Sequence, residues 1–152
     1  MNIFEILKAD HQKVSGLFVR IEQTKNEHLQ ERKVLFSQLR EELVSHTEIE
    51  EKVFYSELRM YDETKALISH SVSDHNTVRD LLQEISETAF DSSEWLLKIN
   101  ELRAEVEHHV EEEETILFKK AREVLSREMI KEMGISFKIE KDKILEKAAE
   151  VR

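Results

Sequence analysis

The sequence predicts an all-α fold, and three observations support this prediction. Proline is absent and glycine occurs only twice in 152 residues, so the chain lacks the residues that the tight turns of β architectures use. Apolar residues recur at three- and four-residue spacing over four long stretches, which is the pattern of amphipathic helices. The connections between these stretches are short and polar. Together these features predict an up-down-up-down four-helix bundle with a short C-terminal helical extension.

Each of the four stretches is predicted to form one long helix. They cover residues 2–25, 31–60, 64–90 and 92–124. The segments KNEHLQ, MYDET and FDSSE between them are just long enough to reverse the chain, so consecutive helices are predicted to be antiparallel. Asp91, Ser92 and Ser93 are N-cap candidates for the fourth helix, because their side chains accept hydrogen bonds from free backbone N–H groups.

The end of the chain is predicted to be helical as well. SREMIKEMG is typical of a brief helix that ends at Gly134, and SFKIEKDKILEKAAEVR of a charged terminal helix. The terminal helix is expected to dock through five apolar residues: Ile135, Phe137, Ile139, Ile144 and Leu145. We therefore predict a single domain over residues 1–152, with a core at 2–125 and an extension at 126–152.

The composition excludes several classes of function. A formal net charge of −10 disfavours nucleic acids and anionic membranes as partners, since both require clustered Lys and Arg. Cysteine is absent, which excludes disulfides, Fe–S clusters and thiol catalysis. No run approaches the length of a membrane span, and the first residues do not form a signal peptide. We expect a cytoplasmic protein that is a monomer or a homodimer.

Histidine and glutamate occupy positions on the apolar stripes of the predicted helices, where core residues are normally found. Each predicted helix carries one such histidine, and two of them are followed by glutamate four residues later, which places both side chains on one helix face. An unpaired carboxylate inside the bundle costs several kcal/mol, and a bound metal ion would remove that cost. The candidate ligands are His11, His46, Glu50, His75, His109 and Glu113.

The heights of these residues along the predicted helices agree. In antiparallel helices, residues that are equally distant from a turn lie at the same level, and the candidates match to within one or two residues, or about 3 Å. Of the doubled histidines, His109 lies nearer the apolar stripe and is the predicted ligand, whereas His108 faces the surface. Single inward histidines are usually hydrogen-bonded core residues, and only this common level favours a metal. Nitrogen and oxygen ligands suit iron, manganese or zinc.

Four motifs resemble the hemerythrin-like family of HHE cation-binding bundles. They are the Asp10–His11 pair, HTEIEEKVF, SDHNTVRDLL and HHVEEEETILF, and the likeness covers roughly residues 3–145. The resemblance implies a non-haem di-iron centre. In it, His11 and His46 would hold one iron and His75 and His109 the other, while Glu50 and Glu113 would bridge them.

One departure from the family pattern bears on function. The oxygen carriers of the family have a further histidine where this chain has Arg79, which implies a more open centre suited to reaction with O2, peroxide or NO. The expected function is therefore a di-iron protein that binds or reacts with O2, NO or H2O2, with peroxide- or NO-reactive oxidoreductase activity left open. The alternatives are a non-catalytic iron or oxygen sensor or storage protein, and a structural acidic bundle without metal.

Four further side chains near the motifs received separate interpretations. Arg79 either pairs with Glu50 or Glu113 or extends outward. Tyr55 and Tyr61 are expected at the periphery of the bundle, and His70 at the surface or in a turn.

Overall fold

The computed structural model describes residues 1–151, and side chains for 1–150, so Arg152 lies outside the described residues. Within this range the chain is entirely helical, which confirms the predicted class. Three helices are regular along their length: α1 (Ile3–Glu22), α3 (Lys65–Ser86) and α5 (Arg127–Val151). Two contain a wide π-helical turn: α2 (Leu29–Glu50, π turn Glu51–Tyr55, then Ser56–Leu58) and α4 (Ser93–Glu112, π turn Glu113–Leu117, then Phe118–Val124). None of the described helices is long and apolar enough to cross a membrane.

Side-chain caps fix the starts of two helices. Asn2 and Glu5 form a capping box at the start of α1, in which each side chain satisfies the backbone N–H of the other. The side chain of Ser92 accepts a hydrogen bond from the backbone N–H of Trp95 at the start of α4. Of the three N-cap candidates in the sequence, Ser92 is therefore the one that caps the helix.

Contacts between helix ends show that α1 and α2 run antiparallel. At one end, Arg32 near the start of α2 donates from Nε to Thr24 Oγ1, just beyond the end of α1, at 2.9 Å. At the other end, Phe4 at the start of α1 packs edge-on against Phe54 late in α2. α3 and α4 are antiparallel by the same criterion, because late Glu84 pairs with early Lys98.

The histidines divide the apolar interior into two clusters. On each of the first four helices, the residues on one side of the inward histidine belong to one cluster and those on the other side to the second. The first cluster includes Val14, Leu43, Val78, Val106 and Trp95. The second includes Leu7, Ile49, Ile68, Leu117 and Phe118. The four inward histidines therefore lie at one level, with an apolar cluster on either side of them.

The C-terminal helix differs from its prediction. Gly134 does not end a brief helix, because α5 continues through it to Val151. A Cβ at this position would lie 2.6 Å from the backbone oxygen of Met1, so glycine is required where α5 crosses the N-terminus closely. The predicted docking residues Ile135, Ile139 and Leu145 are about half exposed, whereas Phe137 is buried. α5 thus docks through a narrower stripe than its apolar content suggested.

Candidate metal centre

Four helices each contribute one histidine to a single buried cluster. His11, His46, His75 and His109 come from α1, α2, α3 and α4 and are at most 9% exposed. The rings form two pairs, with centroids 5.1 Å apart for His11 and His46 and 4.8 Å apart for His75 and His109. We call the first pair the first half of the centre and the second pair the second half.

Two fully buried glutamates lie between the halves. Glu113 directs Oε1 to within 3.2 Å of His11 Nε2 and Oε2 to within 3.4 Å of His109 Nε2, so it has one oxygen toward each half. Glu50 Oε1 lies 3.1 Å from His75 Nε2 and 3.6 Å from His46 Nε2. Each carboxylate therefore spans both histidine pairs, which is the position of a bridging ligand.

A carboxylate contacts the outward nitrogen of every histidine. Asp10 Oδ2 lies 2.8 Å from His46 Nδ1, and Asp74 Oδ2 lies 3.0 Å from His109 Nδ1. Since an ionised carboxylate only accepts hydrogen bonds, each Nδ1 is the donor and each Nε2 faces the centre.

For the other two histidines, the carboxylate that contacts Nδ1 belongs to a glutamate. Glu51 Oε2 lies 2.7 Å from His75 Nδ1, and Glu114 Oε2 lies 2.6 Å from His11 Nδ1. The four contacts repeat with internal symmetry: an Asp directly before a His on α1 and α3, and a second Glu directly after the bridging Glu on α2 and α4. These repeated Asp-His and Glu-Glu pairs therefore correspond to two equivalent halves of one site.

A wide π-helical turn follows both His-x3-Glu motifs. It covers Glu51–Tyr55 in α2 and Glu113–Leu117 in α4. Such a turn adds one residue relative to regular α geometry and re-aims the side chains after it, and π turns of this kind are frequent at functional sites. Ile116, an apolar residue within the π turn of α4, is 47% exposed.

Tyr55 lies in the centre rather than at the periphery, which corrects the sequence interpretation. Its side chain is fully buried, and its hydroxyl donates a short hydrogen bond to Glu113 Oε2. The hydroxyl oxygen of Tyr55 also lies 3.5 Å from His75 Nε2 and 3.4 Å from His109 Nε2. Burial and the charge of Glu113 raise the pKa of Tyr55 well above its ordinary value. Tyr61 is peripheral as expected, since its hydroxyl donates to Glu57 on the same helix.

Arg79 supports the second half from outside. Its Nη2 donates to Glu51 Oε2 at 2.5 Å, the oxygen that also contacts His75. Neither Glu50 nor Glu113 is the partner that the sequence suggested. The guanidinium and the imidazole of His75 together lower the pKa of Glu51, although burial alone would raise it. Arg79 therefore holds Glu51 in its charged form and in position.

The buried atoms without hydrogen bonds indicate what the cluster lacks. In the part of the chain that the structure describes, five buried side-chain nitrogen and oxygen atoms have no hydrogen-bond partner, and four of them belong to His11, Glu50 and Glu113. The fifth is Trp95 Nε1. A buried carboxylate with neither of its oxygens hydrogen-bonded, as in Glu50, is costly unless a cation is present. The donor set therefore fits a bound cation.

The spacing of the donor atoms also fits metal. One group, formed by His11, His46, Glu50 and Glu113, and another, formed by Glu50, His75 and His109, each offer ligand atoms within 4.8 Å of one another. Glu50 belongs to both groups. The donors are imidazole nitrogens and carboxylate oxygens, which suit iron, manganese and zinc.

Electrostatic contacts alter the pKa values of the cluster. Burial disfavours a charged imidazole, but the close contact and charge of Glu113 outweigh it and raise the pKa of His11 to about 9. For His109, hydrogen bonds to Asp74 and Glu113 likewise outweigh burial and raise the pKa to about 10. Although burial alone would raise it, the pKa of Glu113 is held well below its usual range by His109 and His11. Without metal, imidazolium–carboxylate pairs hold the cluster together, and a binding ion must displace protons.

Comparison with known proteins identifies the family. The model of the hemerythrin HHE cation binding domain matches residues 2–121. This chain belongs to the hemerythrin HHE cation-binding family. A hemerythrin HHE cation binding domain-containing protein from Mycobacterium kansasii has a similar crystal structure, with a TM-score of 0.86 at 25% identity over 98% of this chain and 90% of that one. The chain is therefore a member of a cation-binding family with a buried His/Glu cluster that is able to hold a metal ion.

A longer relative is also similar in sequence. It is a DNA nickase from Nostoc sp. (strain PCC 7120 / SAG 25.82 / UTEX 2576), 30% identical over 148 residues. The match covers 95% of this chain but 40% of the nickase, so this chain spans about two-fifths of the length of that relative. The matched 120-residue family region ends before α5, whereas this chain's similarity to both relatives extends across nearly its full length.

The structure brings all six sequence-predicted ligand residues of this hemerythrin-family chain into one cluster, and their role as metal ligands stays a prediction. His108 is exposed, as predicted. The sequence interpretation missed Tyr55 and the four carboxylates that contact the histidine Nδ1 atoms, which belong to Asp10, Glu51, Asp74 and Glu114. A signal for the carboxylates was present in the repeated Asp-His and Glu-Glu pairs: Asp10–His11, Asp74–His75, Glu50–Glu51 and Glu113–Glu114.

Proposed function

We propose that this chain is a non-haem di-iron protein that binds or reacts with O2, peroxide or NO. In this proposal His11 and His46 hold one iron, His75 and His109 hold the other, and Glu50 and Glu113 bridge them within an up-down-up-down four-helix bundle. The observation that carries the proposal is the set of four buried atoms of His11, Glu50 and Glu113 that lack a hydrogen-bond partner, on residues whose ligand atoms lie within 4.8 Å of one another. A pair of cations would satisfy them.

The space beside the cluster supports a small reactant. A cavity of about 20 Å³ lies against all four histidines and is otherwise lined mainly by apolar side chains, among them Val14, Leu43, Val78 and Val106. A cavity needs roughly 10–15 Å³ to hold one water molecule, so this one accommodates a reactant of very few atoms. Bulky organic substrates are too large for it.

The residues around the centre would position and protect the iron pair. The iron pair, when bound, supplies the electrons that reduce O2, peroxide or NO. Asp10, Glu51, Asp74 and Glu114 accept from the four Nδ1 atoms and so keep each Nε2 directed inward. The two apolar clusters exclude water, which limits side reactions. Tyr55 holds a proton at its hydroxyl, directed at Glu113, on the second half only.

The principal alternative uses the same ligands without turnover, as an iron or oxygen sensor or storage protein. Elemental analysis and peroxide consumption separate these possibilities. About two irons per chain with sustained consumption of H2O2 would support an enzyme, and a single stoichiometric reaction would support a binding protein. A folded chain without iron would contradict both.

We do not propose DNA nicking, the activity in the name of the Nostoc relative, for this chain. DNA binding depends on clustered positive charge, and this chain has 33 acidic against 23 basic side chains. The hemerythrin-like region accounts for two-fifths of that relative. We propose that in both proteins this region serves as a metal-holding module.

A further inference from the structure

A second set of metal-ligating side chains lies on the outside of α3 and α4. His70 and Asp74 are four residues apart on α3, and His108 and Glu112 are four residues apart on α4. Residues at this spacing share a helix face. The outer pairs therefore repeat the His-x3-acid arrangement of the buried centre, displaced by one residue from the His109–Glu113 pair. The buried site leaves both outer histidines unused.

The distances within this set match those between ligands of one ion. His70 Nε2 lies 3.1 Å from Glu112 Oε2 and 3.6 Å from Asp74 Oδ2. Ligand atoms of His70, Asp74 and Glu112 all lie within 4.8 Å of one another. Ligands at about 2.1 Å from a tetrahedral or octahedral ion lie roughly 3.0–3.5 Å apart, so little adjustment is needed. We propose that His70, Asp74 and Glu112 bind one divalent transition-metal ion, such as Zn²⁺ or Fe²⁺, at the surface.

His108 is the fourth donor of the proposed site. Its Nε2 lies 3.2 Å from Glu112 Oε1, the carboxylate oxygen that does not face His70. The side chain is 62% exposed and therefore free to turn toward an ion held by the other three. Two imidazoles and two carboxylates form a complete four-coordinate set for zinc or the first shell of an iron or manganese site. The doubled histidine thus supplies one ligand to each of two sites.

The partners of the two carboxylates favour an exchangeable cation. Asp74 contacts His70 and His109, and Glu112 contacts His70 and His108. These partners are all imidazoles rather than permanently charged Lys or Arg side chains. When these imidazoles are neutral, the two carboxylates have no positively charged partner among them. A metal ion supplies that positive charge, and the neutral imidazole nitrogens serve as its ligands.

Asp74 links the outer site to the buried centre. Its Oδ2 accepts from His109 Nδ1 at 3.0 Å, and His109 is a ligand candidate of the second half. An ion at the outer site is bound by the same carboxylate that orients His109. Metal binding at either site therefore changes the metal affinity of the other site by the same factor. The outer site is therefore placed to stage an ion on its way inward or to report metal availability to the centre.

Zinc titration of the iron-loaded protein tests the proposal. Iron is first counted by elemental analysis, and Zn²⁺ is then titrated into the ferric protein by isothermal calorimetry. We expect one saturable zinc equivalent per chain beyond the iron. His70→Ala and Glu112→Gln should weaken it by roughly tenfold or more. His28→Ala and Glu111→Gln, which change an exposed histidine and an exposed glutamate elsewhere, should leave it unchanged.

Two results would overturn the outer site: no saturable zinc equivalent in the wild-type protein, or an equivalent that persists with the same affinity in both His70→Ala and Glu112→Gln. The outer site does not depend on the proposed di-iron function. A protein that holds no iron yet loses one zinc equivalent on His70→Ala would contradict the buried centre and support the outer one.

Discussion

The two halves of the buried centre have equivalent ligands but different surroundings. In both, an Asp-His pair and a His-x3-Glu-Glu segment supply the same kinds of contact at matching positions. The second half has two additional groups: Tyr55, directed at Glu113, and Arg79, which holds Glu51. Phe118 takes the place of Tyr55 in the second repeat, five residues after its glutamate. An internal repeat therefore accounts for the ligand positions, and residues outside the repeat make the halves unequal.

The first half receives its additional groups from α5. Phe137 packs against His46, with ring centroids 6.0 Å apart. Lys141 reaches Glu42 Oε1 at 2.7 Å and lies 3.6 Å from Asp10 Oδ2, the carboxylate that holds His46. α5 packs on α1 and α2, so it covers one half only. The difference between the halves predicts that variants outside the repeat affect one metal position more than the other.

The largest effect is expected where the halves share a residue. Glu50→Gln and Glu113→Gln each remove a charged carboxylate that faces both histidine pairs, so both positions should lose metal. We expect iron to fall from about two atoms per chain to less than one. Glu111→Gln, an exposed neighbour, is the matched control. Retention of two irons in either buried variant would show that this glutamate does not bridge.

Alkaline pH should destabilise the metal-free protein in two steps. The pKa of His11 is about 9 and that of His109 about 10, both above the unfolded value of 6.5. Their contribution to stability is therefore complete below pH 6.5 and is lost as pH rises through 9 and then 10. The pKa of Glu113 is lowered, so its contribution is present above 4.5 and lost as pH falls through its folded value.

Urea unfolding of the metal-free chain measures this dependence. The free energy of unfolding should fall by up to about 8 kcal/mol between pH 6 and pH 10.5, since the two pKa values lie about 2.5 and 3.5 above 6.5 and one pKa unit corresponds to about 1.4 kcal/mol. His109→Gln should reduce the later, second-half step and leave the earlier step in place. A flat profile over this interval would mean that the imidazolium–carboxylate pairs contribute nothing to stability.

The sequence was sufficient for the helical class and for the gathering of the six candidate ligands because both depend on regular helix geometry. His46 and Glu50 share a helix face because they are four residues apart. Candidate ligands on neighbouring helices lie at a common level because they are equally many residues from the turn between them. The four carboxylates that contact the histidine Nδ1 atoms were missed because each contacts a histidine on another helix. Contacts such as Glu114 with His11 depend on how neighbouring helices are rotated, which spacing along one helix does not define.

Tyr55 shows where the assumption of regular geometry fails. It was placed at the periphery by counting at the angle of an α-helix, yet the π turn Glu51–Tyr55 intervenes and rotates it into the centre. Gly134 illustrates a second limit, because glycine marks either a helix end or a close approach. The structure assigns the close approach, since the N-terminus passes within 2.6 Å of where a Cβ would lie.

Tyr55→Phe should remove one asymmetry without disturbing the packing. The substitution deletes only the hydroxyl that donates to Glu113 and lies near His75 and His109. We expect about tenfold weaker metal binding at one of two positions, the usual scale for a group that supports a ligand. Anaerobic Co²⁺ titration, followed by absorption, resolves the two positions, and Tyr61→Phe is the control. Equal weakening at both positions would contradict an assignment of Tyr55 to the second half.

Lys141→Met should produce the smallest effect, and on the opposite half. The ammonium lies between Glu42 and Asp10, and its loss leaves two nearby carboxylates with less positive charge, although Lys13 still pairs with Glu42. Because Lys141 acts on His46 only through Asp10, we expect roughly threefold weaker Co²⁺ binding at one position, below the usual range for a direct partner of a ligand.

The matched variants for Lys141 separate charge from packing. Lys141→Arg should restore most of the affinity, and Lys138→Met, which changes an exposed lysine on the same helix, should have no effect. In a double variant with Tyr55→Phe, the two losses should fall on different Co²⁺ positions and add, since the residues share no contact. If the loss caused by Lys141→Met fell equally on both positions, α5 would act on the centre as a whole, and the inequality of the halves would rest on Tyr55 and Arg79 alone.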